Sequence, residues 1–190
     1  MTERARLLRV LPLLSVASTR ADWDEVYRRE LPRVYNFFRY HLGDGATAED
    51  LTATTFEKAW RGRRGFRRDE AAFSTWLFTI ARNVAIDHFR RRRVELPLDA
   101  AAELQGHDDL EAAEIRRSEF RRLYRLLRVL PARERELVAL KYGAGSTNRE
   151  IARLTGLSES NVGTILHRVV QGLRESWYGQ EEAHDPGGSR

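Results

Sequence analysis

The residues with the clearest chemical role form a polar set that follows Ser158. Hydroxyl, amide, imidazole and guanidinium groups recur there at the spacing that places side chains on one face of a helix. Groups of these kinds hydrogen-bond base edges in the major groove and bind backbone phosphates. The face therefore predicts recognition of DNA. Its members are Glu159, Ser160, Asn161, Thr164, His167, Arg168 and Gln171.

The elements that must position this face have the pattern of a helix-turn-helix. Thr147 and Ser158 are residue types that cap helices, and Gly156 lies between the two helical segments. A helix-turn-helix of this kind inserts its second helix into the major groove. An ordinary pair of helices in a bundle has the same periodicity, so the pattern alone leaves that alternative open. The apolar residues expected between the helices are Ile151, Ala152, Leu154, Leu157, Val162, Ile165, Leu166 and Val169.

A second candidate surface is rich in arginine and lies earlier in the chain. Residues 61–68 contain several arginines and two glycines without helical periodicity, which predicts an exposed basic loop. The amphipathic helix after it ends in the run Arg90–Arg93. Aromatic side chains lie among these arginines, a mixture that binds unstacked single strands. We expect Phe73 to lie in the core, and Trp76 could lie either in the core or on the surface.

Composition limits the classes of function. The 190 residues carry a net charge of +5, and residues 94–115 contain acidic residues without any basic ones. There is no cysteine and the five histidines are scattered, so we expect no metal and no cofactor. The sequence also lacks a glycine-rich phosphate loop and a nucleophile elbow. We therefore expect neither an enzyme nor a small-molecule substrate.

The N-terminal segment has some features of a secretion signal. Basic residues precede a short apolar stretch, with small residues at Ser15 and Ala17. Arg9 interrupts the apolar stretch, which is too short to span a membrane. We expect a flexible or weakly helical extension, no membrane insertion and a cytoplasmic protein.

Helical periodicity continues along nearly the whole chain. The pattern predicts a helix that begins at Asp22 and breaks or kinks at Pro32, and a further helix that Thr47 caps and Gly62 ends. Pro131 is predicted at the first position of a helix that ends near Gly143. Four helices are expected on each side of the acidic segment, with no strand. The predicted fold class is all-α, with two small helical domains joined by a flexible acidic linker.

Three segments, in this order, resemble a bacterial RNA polymerase sigma factor of the extracytoplasmic-function (ECF) group. They are AEDLTATTFEKAW, FSTWLFTIARNVAIDHFRRRR and LPARERELVALKYGAGSTNREIARLTGLSESNVGTILHR. The resemblance covers about residues 22–178. It implies a non-enzymatic subunit that binds core RNA polymerase, reads two promoter elements and helps to open the duplex. The implied partners are core polymerase, promoter DNA as duplex and as melted single strand, and an anti-sigma factor.

The resemblance also implies a division of the chain. The helix-turn-helix would read the upstream promoter element, and the first domain would bind polymerase and read the downstream element. The acidic linker could in addition mimic nucleic acid in polymerase. The predicted parts are an N-terminal extension (1–21), a sigma domain 2 (22–93), the linker (94–115), a sigma domain 4 (116–178) and a disordered tail (179–190).

Carried over by position, the resemblance assigns Asn83 to contact with a flipped base of the downstream element. Phe56 and Trp60 could instead be buried. Many members carry lysine or arginine where this chain has Gly163 and Ile165, so phosphate contacts must come from other positions. The core-polymerase set is Asp50, Leu51, Thr55, Phe56 and Trp60. The downstream DNA set is Arg63, Arg64, Arg67, Arg68, Trp76, Asn83, Arg90 and Arg91. The helix-turn-helix set is Arg149, Arg153, Ser160, Asn161, Thr164, His167, Arg168 and Gln171.

Two other classes compete with this interpretation. A self-sufficient helix-turn-helix repressor or activator would use its first domain to sense a ligand or to dimerise, and would bind its operator without polymerase. A helical enzyme or scaffold without a nucleic-acid role would show no salt-dependent affinity for DNA.

Overall fold

Helices form all the regular structure in the computed structural model, which describes residues 4–63, 66, 70–95 and 111–182. No strand occurs within these ranges, which confirms the all-α prediction. We call α1 to α3 the N-terminal half and α4 to α7 the C-terminal half. The helices are α1 (Arg4–Leu42), α2 (Gly45–Gly62), α3 (Glu70–Glu95), α4 (Glu111–Arg128), α5 (Ala132–Val138, extended by a π-helical turn, Ala139–Gly143), α6 (Asn148–Thr155) and α7 (Glu159–Glu182).

The first helix is continuous, which contradicts the predicted start at Asp22 and the first alternative at Pro32, a break. Asp22 does not begin a helix and Pro32 does not break one, because α1 extends over 39 residues. A proline inside a helix costs about 3 kcal/mol. Burial of the following turns offsets that cost, since Val34, Phe37 and Phe38 are fully buried. The N-terminal half therefore has three helices in its described residues rather than the predicted four.

The start of α2 also differs from the prediction. Asp44 rather than Thr47 is the N-cap, and the carboxylate of Asp44 accepts a hydrogen bond from the Thr47 backbone N–H at 2.8 Å. Partial burial raises the pKa of Asp44, but hydrogen bonds from Thr47 and the charge of Arg39 outweigh it, so the net pKa lies below the usual value. The left-handed Gly43, with φ of 81°, follows the end of α1 and directly precedes Asp44.

The core is continuous through both halves. Phe37 and Phe38 of α1, with Leu77 of α3, form one hydrophobic cluster with Leu140 of the π-helical turn and Ile151 of α6. Phe73 belongs to this cluster, as predicted, with 8% of its surface exposed. Both halves therefore bury apolar side chains against each other.

Two glycines allow the backbones of the two halves to approach closely. A Cβ atom on Gly143 would lie 2.7 Å from the backbone oxygen of Asn36, and one on Gly43 would lie 2.0 Å from the Tyr124 ring. Tyr40 of α1 also packs edge-on against Phe120 of α4, with ring centroids 5.6 Å apart. The two halves therefore pack closely against each other in this conformation.

The chain between the halves lies largely outside the described residues. Of the predicted linker, α3 includes residues 94 and 95 and α4 includes residues 111–115. The prediction of a flexible acidic segment therefore falls mainly on residues 96–110, which the structure does not describe. At the C-terminus, α7 continues to Glu182, so the predicted tail begins within a helix.

Candidate nucleic-acid interface

Local hydrogen bonds build the helix-turn-helix as predicted. Thr147 caps α6 with its hydroxyl, which accepts from the Glu150 N–H at 3.2 Å, and the Glu150 carboxylate accepts from the Thr147 N–H at 2.7 Å. Gly156 adopts a left-handed φ of 73° at the turn, where a residue with a side chain would be strained. Ser158 then accepts from the Asn161 N–H at 3.2 Å. These caps fix where α6 ends and α7 begins.

The apolar residues of α6 and α7 face each other, as predicted. Ile151 and Val162 are fully buried, and Leu154, Leu166 and Val169 are each less than a tenth exposed. The remaining members of the predicted set are partly buried against the same cluster: Ala152, Leu157 and Ile165.

The opposite face of α7 is open to solvent. Each of its seven predicted polar residues is exposed. Arg168 pairs with Glu134 of α5 at 2.5 Å, which orients its guanidinium while 70% of the side chain stays exposed. The Thr164 hydroxyl donates to the Ser160 carbonyl at 3.0 Å and keeps its acceptor lone pairs. Arg149 and Arg153 are exposed on α6, so the neighbouring helix also presents positive charge to solvent.

The downstream set lies on α3 and at the end of α2. Asn83 is exposed in the middle of α3. Trp76 is half-buried and stacks on Phe66, with ring centroids 5.1 Å apart. The guanidinium of Arg63 lies 3.4 Å from the centroid of the Trp60 ring. Arg64, Arg67 and Arg68 fall outside the described residues.

Two arginines of this set lie near the end of α3. Arg90 pairs with Asp87 at 3.1 Å and remains 73% exposed. Arg91 is exposed as well. Exposed pairs of this kind contribute little to stability, so both arginines are available to an external anion.

The polymerase set divides into an outer and an inner group. Asp50 is exposed, Leu51 is partly exposed, and Trp60 is 40% exposed. Thr55 is fully buried and Phe56 is 6% exposed. In this conformation a docking partner can contact the outer group, whereas the inner group is buried on the core side of α2.

Sequence reasoning did not identify Arg82, which precedes Asn83. Its guanidinium donates to both carboxylate oxygens of Glu136, at 2.7 and 3.3 Å, and to the Leu154 carbonyl. Glu136 lies 54 residues away in the chain, so no local spacing could have indicated the pair.

Two other features are absent from the described part of the chain. No helix there is long and apolar enough to cross a membrane. Nor do three or more His, Cys, Asp or Glu side chains gather there in a group that could hold a metal ion.

Comparison with known proteins gives consistent matches. Residues 26–95 match the family model for sigma-70 region 2, and residues 120–171 match that for sigma-70 region 4. The chain is 30% identical to the ECF RNA polymerase sigma factor BldN of Streptomyces coelicolor, covering 90% of this chain and 66% of BldN. It is also 30% identical to the ECF RNA polymerase sigma factor RpoE of Cereibacter sphaeroides, covering 78% of this chain and 81% of that protein.

A solved structure shares the fold. It is the sigma factor RpoE in complex with the anti-sigma factor NepR from Bartonella quintana, with a TM-score of 0.61 and 23% identity over 81% of this chain and 95% of that chain. The order of the two matched regions, the exposed helix-turn-helix face and these relatives agree. The chain belongs to the ECF sigma factors, which direct promoter-specific transcription initiation by RNA polymerase.

Proposed function

We propose that this sigma factor reads two promoter elements with two separate surfaces and helps to open the duplex at the downstream one. The observation that carries the proposal is the solvent-exposed polar face of α7 on a fully capped helix-turn-helix. The predicted domain 4, residues 116–178, contains this face, and the predicted domain 2, residues 22–93, contains the second surface.

At the upstream element, Asn161, Thr164 and Gln171 are placed to contact base edges. Their side chains carry the donors and acceptors that major-groove readout uses. Arg149 and Arg153 on α6 are placed for phosphates, which set the register without sequence information. In this proposal α7 provides the hydrogen bonds to bases, and α6 provides the positive charge that binds the DNA phosphates.

At the downstream element, Asn83 is the proposed contact to a flipped base. Flipping costs a few kcal/mol of stacking and pairing, which a binding pocket must offset. The exposed Asn83 amide offers a donor and an acceptor, and Arg90 and Arg91 lie two turns further along α3. We assign these residues to capture of the melted strand.

Core polymerase is the proposed partner of α2, through the exposed Asp50, the partly exposed Leu51 and Trp60. The protein would act without catalysis and in the cytoplasm, where polymerase works. An anti-sigma factor is a further proposed partner, since the RpoE relative from Bartonella quintana was solved with one.

The deciding experiment is in vitro transcription with core polymerase on a promoter library. A sigma factor should yield transcripts from a subset of promoters that share two spaced elements, and only when core enzyme is present. Tight sequence-specific binding of duplex DNA by the free protein, with no polymerase-dependent initiation, would support a classical regulator instead.

Asn83→Ala should reduce open-complex formation about tenfold or more, because a bidentate base contact provides about 1–3 kcal/mol of discrimination. Permanganate footprinting of unpaired thymines would measure opening on a promoter selected from the library. Ile86→Ala, at another exposed position of α3, is the matched control and should leave opening unchanged. Normal melting by the Asn83→Ala protein would refute the assignment.

A further inference from the structure

The guanidinium of Arg82 joins the two matched regions. Arg82 lies in the region 2 match, whereas Glu136 and Leu154 lie in the region 4 match. The Arg82–Glu136 pair is largely shielded from solvent, with side-chain exposures of 21% and 15%. The Leu154 carbonyl near the C-terminal end of α6 accepts a further hydrogen bond from Arg82. Among the described residues, the hydrogen bonds of Arg82 all reach the C-terminal half.

The chemistry of this pair resembles that of an arginine bound to a phosphate. Two parallel N–H groups of a guanidinium bind the two oxygens of a carboxylate or of a phosphate in the same fork geometry. The carbonyl near the end of α6 adds partial negative charge. Glu136 and Leu154 therefore occupy the guanidinium of Arg82, which is an anion-binding group. Arg82 immediately precedes the proposed base contact, Asn83.

The position of Arg82 on α3, next to Asn83, allows both side chains to contact the same strand of nucleic acid. Consecutive helical residues diverge by about 100° around the axis. The long arginine side chain can reach around that angle, so a strand whose base meets Asn83 would place a neighbouring phosphate within reach of Arg82. This requires that α5 and α6 move away from α3 and release the guanidinium.

Arg33, another arginine with a hydrogen bond between the two halves, differs in this respect. It donates to the Ala144 carbonyl at 2.8 Å, but also to Glu30 and Ser74 within its own half. Arg33 would keep a carboxylate partner if the halves separated. Separation would deprive Arg82 of the anion that it binds in the packed form.

We propose that Arg82 binds a phosphate of the promoter strand whose base Asn83 captures, and that Glu136 occupies Arg82 in its place while the two halves are packed together. The proposal rests on the proposed function of this surface. One guanidinium fork binds one bidentate anion at a time. A strand phosphate can therefore bind Arg82 only when Glu136 is released, and binding of the phosphate in turn favours that release.

The test measures binding of a fluorescent single-stranded DNA of mixed sequence, about 12 nucleotides long, to the full-length protein by anisotropy. Glu136→Gln weakens the competing anion and should raise affinity about fivefold. Arg82→Ala should lower affinity below that of the wild type and reduce the slope of log affinity against log salt by about 0.7. Combining both substitutions should reproduce Arg82→Ala alone.

Controls separate these effects from changes in charge and folding. Glu119→Gln, at an exposed position of α4, removes the same charge away from Arg82 and should not change affinity. Glu136→Asp keeps the charge on a shorter side chain and should give an intermediate affinity, which keeps the test valid if Glu136→Gln folds poorly. Circular dichroism establishes that each variant is folded.

The sign of the Arg82→Ala effect decides between the roles. If Arg82 only clamped the two halves, its loss would raise affinity as Glu136→Gln does, and the proposal would be overturned. Unchanged affinity of Glu136→Gln would overturn it too. Transcription assays with core polymerase test the proposed function separately. If the wild type and the Arg82→Ala protein both initiate equally well, the proposed function stands and only this inference is refuted.

Discussion

His41 is a buried histidine at the junction of α1, α3 and α5. Its ring packs against Phe37 and Phe89, with centroid distances of 5.5 and 5.1 Å. Burial lowers the pKa of His41 to about 3, and the charges of Arg135 on α5 and Arg82 on α3 act in the same direction. The Nδ1 atom lacks a hydrogen-bond partner among the described residues. Protonation of this ring is therefore disfavoured in the folded protein.

Acid should destabilise the fold through His41. The unfolded chain binds a proton near pH 6.5 and the folded protein only near pH 3, so the free energy of unfolding is highest above pH 6.5 and falls as pH decreases between these values. The contribution lost between pH 7 and 5 is about 2 kcal/mol. Urea unfolding at both pH values would measure it in the wild type and in a His41→Phe protein, which should lack this component.

The exposed His167 provides the control, because His167→Gln should retain the full pH dependence. Equal pH dependence of the wild type and of His41→Phe would show that His41 does not carry the effect.

At the scale of single elements, α6 depends on its N-terminal cap. It has eight residues, which is too short for a stable isolated helix in water. The reciprocal bonds of Thr147 and Glu150 satisfy N–H groups at its start, and buried Ile151 and Leu154 attach it to α7. The position of α7, the helix that we propose to face DNA, therefore depends partly on one threonine.

Thr147→Ala should lower the free energy of unfolding by about 1 kcal/mol, because the first turn of α6 loses its side-chain acceptor. Urea denaturation is the measurement. Thr79→Ala removes an exposed threonine from the interior of α3, where alanine has the higher helix propensity, and should cause no loss. Equal stabilities of the two variants would contradict the capping role.

At the scale of the whole molecule, packing of the two halves depends on glycine as well as on ion pairs. The missing side chain of Gly143 allows the π-helical turn to approach the backbone of Asn36 and Phe37. Close backbone approach buries Phe37 and Leu140 in one core. The two regions that we propose to contact different promoter elements are thereby held together in this conformation.

Gly143→Ala should force the two halves apart, because the added methyl group would lie 2.7 Å from the Asn36 backbone oxygen. We expect the free energy of unfolding to fall by about 1–3 kcal/mol and the radius of gyration from small-angle scattering to increase. Gly172→Ala on α7, where nothing lies within 4 Å of the new Cβ atom, is the matched control and should be neutral or stabilising. A Gly143→Ala protein as compact and stable as this control would contradict the proposed tight contact.

The sequence by itself determined the helical fold class, the caps of α6 and α7, and the inward and outward faces of the helix-turn-helix. These features depend on residue types within a few positions of each other, such as Thr147 with Glu150 or Ser158 with Asn161. Periodicity alone therefore separates the buried Val162 from the exposed Asn161.

Only the tertiary structure decided that Pro32 lies inside a helix, that Thr55 and Phe56 are buried, and that Arg82 binds Glu136. Each outcome depends on which distant surfaces meet. Burial of the turns after Pro32 offsets a local cost, and Arg82 finds its carboxylate 54 residues along the chain. Local spacing carries no information about such contacts, because they arise from the packing of helices remote in sequence.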